Sequence, residues 1–159
     1  MSVAELPSTV DRPFAPPPTR SVVVELPGPP KGKGRPRFSR KNGFAYTPEP
    51  TRNYEAQLKD AADKAMRGAA PIEGPLKVEV FAGFPVPRSW SRKKQAQALR
   101  GQIRPTGKPD LDNILKCLDA LNTIVWRDDA QVVIAQVAKR YTDRPRLRIE
   151  VEAIYTGLA

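Results

Sequence analysis

The chain contains no histidine and only one cysteine, Cys117, in 159 residues. The first absence removes Ser-His triads, imidazole general bases and histidine-held metals. The second excludes an internal disulfide and any cysteine-based zinc site. No apolar run approaches the length of a membrane span, and the polar N-terminus lacks the apolar centre of a signal peptide. The expected setting is therefore a reducing cytoplasm, with no membrane partner. Any hydrolytic chemistry must run on carboxylates, lysine, tyrosine or serine, with a hard cation on oxygen ligands.

What is abundant is positive charge. Lys and Arg number 27 against 17 Asp and Glu, a formal net charge of +10. A small basic chain attracts polyanions, because neutralising phosphates releases condensed counterions. Ribosomal proteins, DNA binders and membrane-surface proteins share that signature, so charge alone leaves the partner open. The 18 prolines crowd towards the start, and residues 1–20 are expected to form a proline-rich arm outside a domain spanning 21–159.

Along that domain, Ser21 to Leu26 is a β-branched strand closed by Pro27-Gly28-Pro29-Pro30. Lys31, Lys33, Arg35, Arg37, Arg40 and Lys41 follow on a Gly/Pro-punctuated loop with Phe38 available to stack. Such a loop suits phosphate, although a solvated basic loop without a partner fits equally well. Gly43 to Tyr46 is expected as a short strand closing a hairpin. Pro48 and Pro50 introduce a helix through Arg67, with Tyr54, Leu58, Ala61, Ala62, Ala65 and Met66 at helical spacing. Leu76 to Phe84 alternates as a strand. Ser91 caps a short basic helix, Arg92 to Leu99, in which Arg92, Lys93 and Lys94 either touch phosphate or form a solvated face. A helix is expected over Asp112 to Asn122, then strands over Gln131 to Arg140 and Arg146 to Tyr155. These elements predict an α+β (mixed α/β) fold, a small mixed sheet with helices packed on it.

The chemistry concentrates in Lys108-Pro-Asp-Leu-Asp-Asn-Ile-Leu-Lys-Cys-Leu-Asp-Ala-Leu-Asn122 and in Val125-Trp-Arg-Asp-Asp-Ala-Gln-Val132. Leu111, Ile114, Leu115, Leu118 and Leu121 fall on one helical face, which is expected to enter the core. Asp112, Lys116 and Asp119 form a separate polar stripe. Were Asp110 helical it would point roughly 200° away from Asp112 around the axis. The two carboxylates can share an ion only if the helix begins between them. Plainer roles exist for each: N-capping for the two aspartates, an ion pair with Asp112 for Lys116, a polar turn for Asp128 and Asp129. Carboxylates, however, repel a phosphodiester unless a cation stands between them. An acidic cluster in a basic chain without histidine therefore suggests Mg²⁺ or Mn²⁺ presented to nucleic acid.

The string KPDLDNILKCLDAL followed by WRDDAQV resembles the signature of RusA-type Holliday junction resolvases, Lys-Pro-Asp-x-Asp-Asn-x-x-Lys and then Asp-Asp-x-Gln-Val. The KGRPRF loop and the segment from Thr47 to Tyr54 resemble the N-terminal part of the same family, and the likeness spans roughly Val22 to Ile154. The resemblance implies a homodimer of bacterial or phage origin that recognises four-way DNA junctions and nicks opposed strands symmetrically, in recombination and repair. It implies that Asp110, Asp112 and Asp129 hold the metal, that Lys116 is the essential lysine, and that Asp128 is accessory. Lys108 joins the basic residues expected on DNA. The spacing between the helix and the Asp-Asp pair is somewhat shorter than in some relatives. A non-catalytic nucleic-acid binder, whose aspartates are caps and salt bridges, and a nuclease preferring forks or flaps are the alternatives.

Overall fold

The computed structural model describes residues 19–154. Strands β1 (Ser21–Pro27), β4 (Leu76–Pro85), β5 (Val132–Thr142) and β6 (Arg146–Ala153) form one sheet in the order β1-β6-β4-β5. The first two pairings are antiparallel, and β4 with β5 is parallel. Strands β2 (Arg37–Phe38) and β3 (Ala45–Tyr46) make a separate hairpin. Helices α1 (Glu49–Met66), α2 (Arg92–Leu99) and α3 (Leu111–Leu115) complete the α+β fold expected from the sequence.

Alternation in the strands decides which side of the sheet is buried. Val22, Val24 and Leu26 of β1 oppose Val151, Ile149 and Leu147 of β6, which in turn oppose Val78, Val80 and Ala82 of β4. These rows face the core. The reverse face is polar, with Lys77 paired to Glu79 at 2.6 Å and Arg148 to Glu150 at 2.9 Å. Tyr54, Leu58, Ala62 and Met66 recur every fourth residue on α1 and bury one stripe against this core. Arg67 and Gly68, both at positive φ, end that helix.

A parallel pair needs a long crossover. Between β4 and β5 it contains α2, α3 and a 3-10 helix at Lys116–Leu121, and it returns through a second 3-10 turn at Asp129–Gln131. Ser91 caps α2 as expected, its Oγ accepting from the Lys94 amide at 3.3 Å. The single helix expected over Asp112 to Asn122 is instead α3 followed by the tighter 3-10 helix. With about three residues per turn, Cys117 stacks over Ala120 and Leu118 over Leu121, all four buried. Lys116 and Asp119 then share the remaining outward edge. Leu111, expected in the core, is 45% exposed. As the first helical residue its side chain leans back off the end of the core rather than into it.

Residues 1–18, most of the expected arm, and Tyr155, the expected end of the last strand, lie outside the described residues. Arg20 is already tied in, since its carbonyl accepts from the Ala153 amide at 2.9 Å and its guanidinium reaches the Ala70 carbonyl at 2.6 Å. Among the described residues no helix is long and apolar enough to cross a membrane.

Candidate functional site

The acidic residues lie where the crossover approaches β5. Asp110 is extended (φ −71°, ψ 155°) and heads α3, whose first residue is Leu111. The helix thus begins between Asp110 and Asp112, the condition under which the two carboxylates can be brought to one ion. Asp110 occupies the N-cap position without using its side chain as a cap. Its carboxylate instead accepts from Lys108 Nζ at 2.6 Å. One turn on, Lys116 Nζ stands 3.0 Å from Asp112 Oδ2 and 3.4 Å from Asn113 Oδ1. The Lys116 hydrogen bond holds the Asp112 carboxyl below its usual range.

The Asp-Asp pair divides its labour. Asp128 caps the 3-10 turn, its Oδ1 accepting from the Ala130 amide at 2.8 Å. Gln131 completes the capping box: its Oε1 accepts from the amides of Arg127 at 2.8 Å and Asp128 at 3.2 Å. Its Nε2 donates to the carbonyls of Ile72 at 3.0 Å and Gly74 at 2.9 Å. With Asp128 occupied in this way, Asp129 is the aspartate left to project. Partial desolvation, then the neighbouring carboxylates of Asp119 and Asp128, push Asp129 above the usual carboxylate range. Trp126, fully buried and donating from Nε1 to Asn122 Oδ1 at 2.6 Å, pins the connection from the 3-10 helix to this turn.

The basic loop is threaded against the acidic site. The Lys33 amide donates to the Asn113 carbonyl at 2.9 Å, and the Gly34 amide to Thr51 Oγ1 at 3.3 Å. Glycine is required at both close approaches. A Cβ on Gly32 would lie 2.8 Å from Pro109 Cβ, and one on Gly34 would lie 2.7 Å from Thr51 Oγ1. Lys33 Nζ stands 3.0 Å from Asp119 Oδ2 and 3.3 Å from Glu55 Oε1. The Asp119 hydrogen bond, reinforced by Glu55, raises the pKa of Lys33. Lys33, Gly34, Arg35, Pro36, Asn113 and Lys116 line one open recess.

Of the expected DNA-binding residues, Lys33 and Lys108 are thus engaged with carboxylates of the site. Lys31, Arg35, Arg37, Arg40 and Lys41 are exposed along the loop and hairpin. Arg92, Lys93 and Lys94 stand exposed on α2, a separate element, with Lys94 Nζ 4.0 Å from the centre of the Trp90 ring. Asp119 and Asp128 are close enough to act on the Asp129 carboxyl, while Asp110 and Asp112 flank the start of α3. Among the described residues, however, no three acidic side chains are drawn close enough together to hold a metal as they stand. The donor set is all oxygen, which suits a hard divalent cation. Lysine ammonium groups already sit against Asp110 and Asp112, so both positions attract positive charge.

Sequence reasoning did not assign roles to Glu55, Asp119 or Gln131 in this site. The Asp-x-x-Gln spacing from Asp128 to Gln131 was a capping-box signal and gives Gln131 away. Glu55 comes from α1, and nothing local in sequence links it to the site.

The chain belongs to the RusA family: the model of Endodeoxyribonuclease RusA matches residues 27–152. Membership supports nuclease activity of the Holliday junction resolvase class, and the family acts on branched DNA with a divalent metal. The chain is also similar to the uncharacterized protein YqaN of Bacillus subtilis (strain 168), at 37% identity over 131 residues, 80% of this chain and 92% of YqaN.

Proposed function

We propose that this chain is a Mg²⁺- or Mn²⁺-dependent endodeoxyribonuclease that resolves four-way junctions as a homodimer, by symmetric nicking, in DNA recombination and repair. The observation that carries this reading is the start of α3 between Asp110 and Asp112, with the Asp110 carboxylate not consumed in capping. Asp110, Asp112 and Asp129 would hold the cation, with Asp128 accessory through the turn that it caps. When bound, such an ion supplies an activated water and polarises the scissile phosphate.

The remaining work falls to side chains of the chain itself. Lys108 and Lys116 screen the carboxylates, and their exposed ion pairs are weak enough to rearrange as DNA and metal enter. Lys116 then lies one turn from Asp112, placed to offset charge that develops on the phosphoryl oxygens. Arg35, Arg37, Arg40 and Lys41 grip phosphates on one side, and Arg92, Lys93 and Lys94 extend the basic surface. Two sites at a fixed separation in a dimer make junction geometry the thing recognised. The expected setting is the cytoplasm of a bacterium, with the chain encoded by host or phage.

The test is cleavage of a labelled four-way junction, a fork and a plain duplex by wild type and Asp112→Asn in Mg²⁺. The expected result is junction cleavage by wild type and binding without cleavage by the variant. Equal cleavage by both proteins contradicts the assignment of Asp112, and faster cutting of the fork than of the junction contradicts the substrate.

A further inference from the structure

The β2–β3 hairpin exposes three aromatic rings side by side, whereas the other exposed large apolar side chains, Val23, Leu99, Leu111, Val133 and Ile134, lie outside the hairpin and are all aliphatic. Phe38 is 74% exposed, Phe44 73% and Tyr46 48%. They line one open recess together with Arg40 and Lys41. Among the described residues no other strand pairs with the hairpin, which forms its own two-stranded sheet. A lone hairpin of this length is marginal in water, yet its turn is well specified. The Ser39 amide donates to the Phe44 carbonyl at 2.9 Å, the Gly43 amide returns to the Ser39 carbonyl at 2.9 Å, and Gly43 takes the left-handed conformation the turn needs. Exposed apolar rings held in place in this way mark a contact surface rather than a packing fault.

Two observations identify what the surface meets. No acidic residue occurs from Lys31 to Pro48, while Arg37, Arg40 and Lys41 lie on the hairpin itself. A partner of opposite charge that also presents flat apolar faces is nucleic acid with unstacked bases. The hairpin is moreover anchored beside the candidate active site at both stems. The Lys33 amide bonds to the Asn113 carbonyl on one side, and on the other Pro48 leads directly into α1, whose Thr51 holds Gly34.

We propose that the β2–β3 hairpin is a base-stacking wedge: Phe38, Phe44 and Tyr46 receive unpaired bases of branched DNA while Arg37, Arg40 and Lys41 hold the adjoining phosphates. It rests on the nuclease reading only for the identity of the DNA. A fully paired duplex keeps its base faces covered, so the rings add affinity for a branch point and nothing for plain duplex.

The experiment uses the full chain in EDTA, with 2-aminopurine placed either at the branch point of a four-way junction or inside one arm. Wild type at saturation should change emission from the branch-point probe and not from the arm probe. Phe38→Ala/Phe44→Ala, which removes only exposed rings and should melt like wild type, should lose that change. Junction affinity should weaken on the order of tenfold per ring, with duplex affinity unaltered. Identical emission and junction affinity in the two proteins overturn the proposal. So does an intact branch-point signal accompanied by a change in sedimentation mass, which assigns the rings to a contact between two copies of the chain. Cleavage by wild type in Mg²⁺ is scored separately. Its absence removes the nuclease reading and leaves the stacking result standing or falling by itself.

Discussion

Lys33 Nζ donates to Asp119 Oδ2 across 3.0 Å, joining the basic loop to the acidic edge of the 3-10 helix, and Glu55 flanks the same ammonium at 3.3 Å. A lysine placed this way is an internal strut. It aligns the loop with the site and has little charge left to offer a phosphate.

That distinction is measurable in the salt dependence of junction binding. A side chain contacting phosphate contributes about one unit to the slope of log affinity against log salt. Arg37→Gln and Arg40→Gln should each lower the slope by about one. Lys33→Met should leave the slope near the wild-type value and instead lower the melting temperature. A full one-unit loss of slope for Lys33→Met would show that Lys33 reaches the DNA.

Gln131 spends its side chain on four hydrogen bonds that hold the turn bearing Asp129, so its role is positioning. Gln131→Ala should reduce kcat about 10- to 100-fold, the range found for groups that orient metal ligands. Junction affinity in EDTA should be unchanged, and the Mg²⁺ concentration needed for half-maximal cleavage should rise. An unchanged metal requirement would mean that the turn bearing Asp129 holds without it.

Cys117 lies beneath the site, its Sγ 3.4 Å from the Lys31 carbonyl and 3.6 Å from that of Asn113. Burial pushes its pKa up to about 11. The unfolded chain ionises this thiol near its ordinary value of about 8.5, whereas the native chain keeps it protonated. Between those values the native state binds the extra proton, so stability falls as pH rises, by at most about 1.4 kcal/mol per pH unit. Melting temperatures taken across pH 8 to 11 should decline from about pH 8.5. Cys117→Ala should remove that part of the decline. Tyr54, pushed up to about 12 by burial, adds a further decline at higher pH in both proteins.

Much of the fold was legible in the sequence because period-two alternation and capping are local. Ser91 and the Arg92–Leu99 helix were readable residue by residue, and the strand at Leu76 came within one residue of its end. The 3-10 geometry of Lys116–Leu121 was not legible, since a repeat of three and one of 3.6 residues predict nearly the same buried set over so short a run. Asp110 and Asp112 could be singled out because Pro109 made a helix start between them a local question. The network of Lys33, Glu55 and Asp119 is a product of tertiary folding, formed by a loop, α1 and the 3-10 helix, and no spacing rule joins them. The aromatic hairpin falls between the two cases: Phe38 is legible as a ring within a basic loop, but the gathering of Phe44 and Tyr46 on the same recess is set by the hairpin's pairing and not by any local spacing.

In the proposed function, the aspartates at the start of α3 and at the Asp128–Asp129 turn support metal-dependent cutting of junction DNA. Its most direct test is strand-mapped cleavage of a four-way junction, each strand labelled in turn, with Mg²⁺, Mn²⁺ or EDTA. Paired nicks at symmetric positions on two opposed strands are expected in either metal, none in EDTA, and none from Asp110→Asn, Asp112→Asn or Asp129→Asn. A wild-type protein that binds the junction tightly but leaves every strand intact in both metals would contradict it.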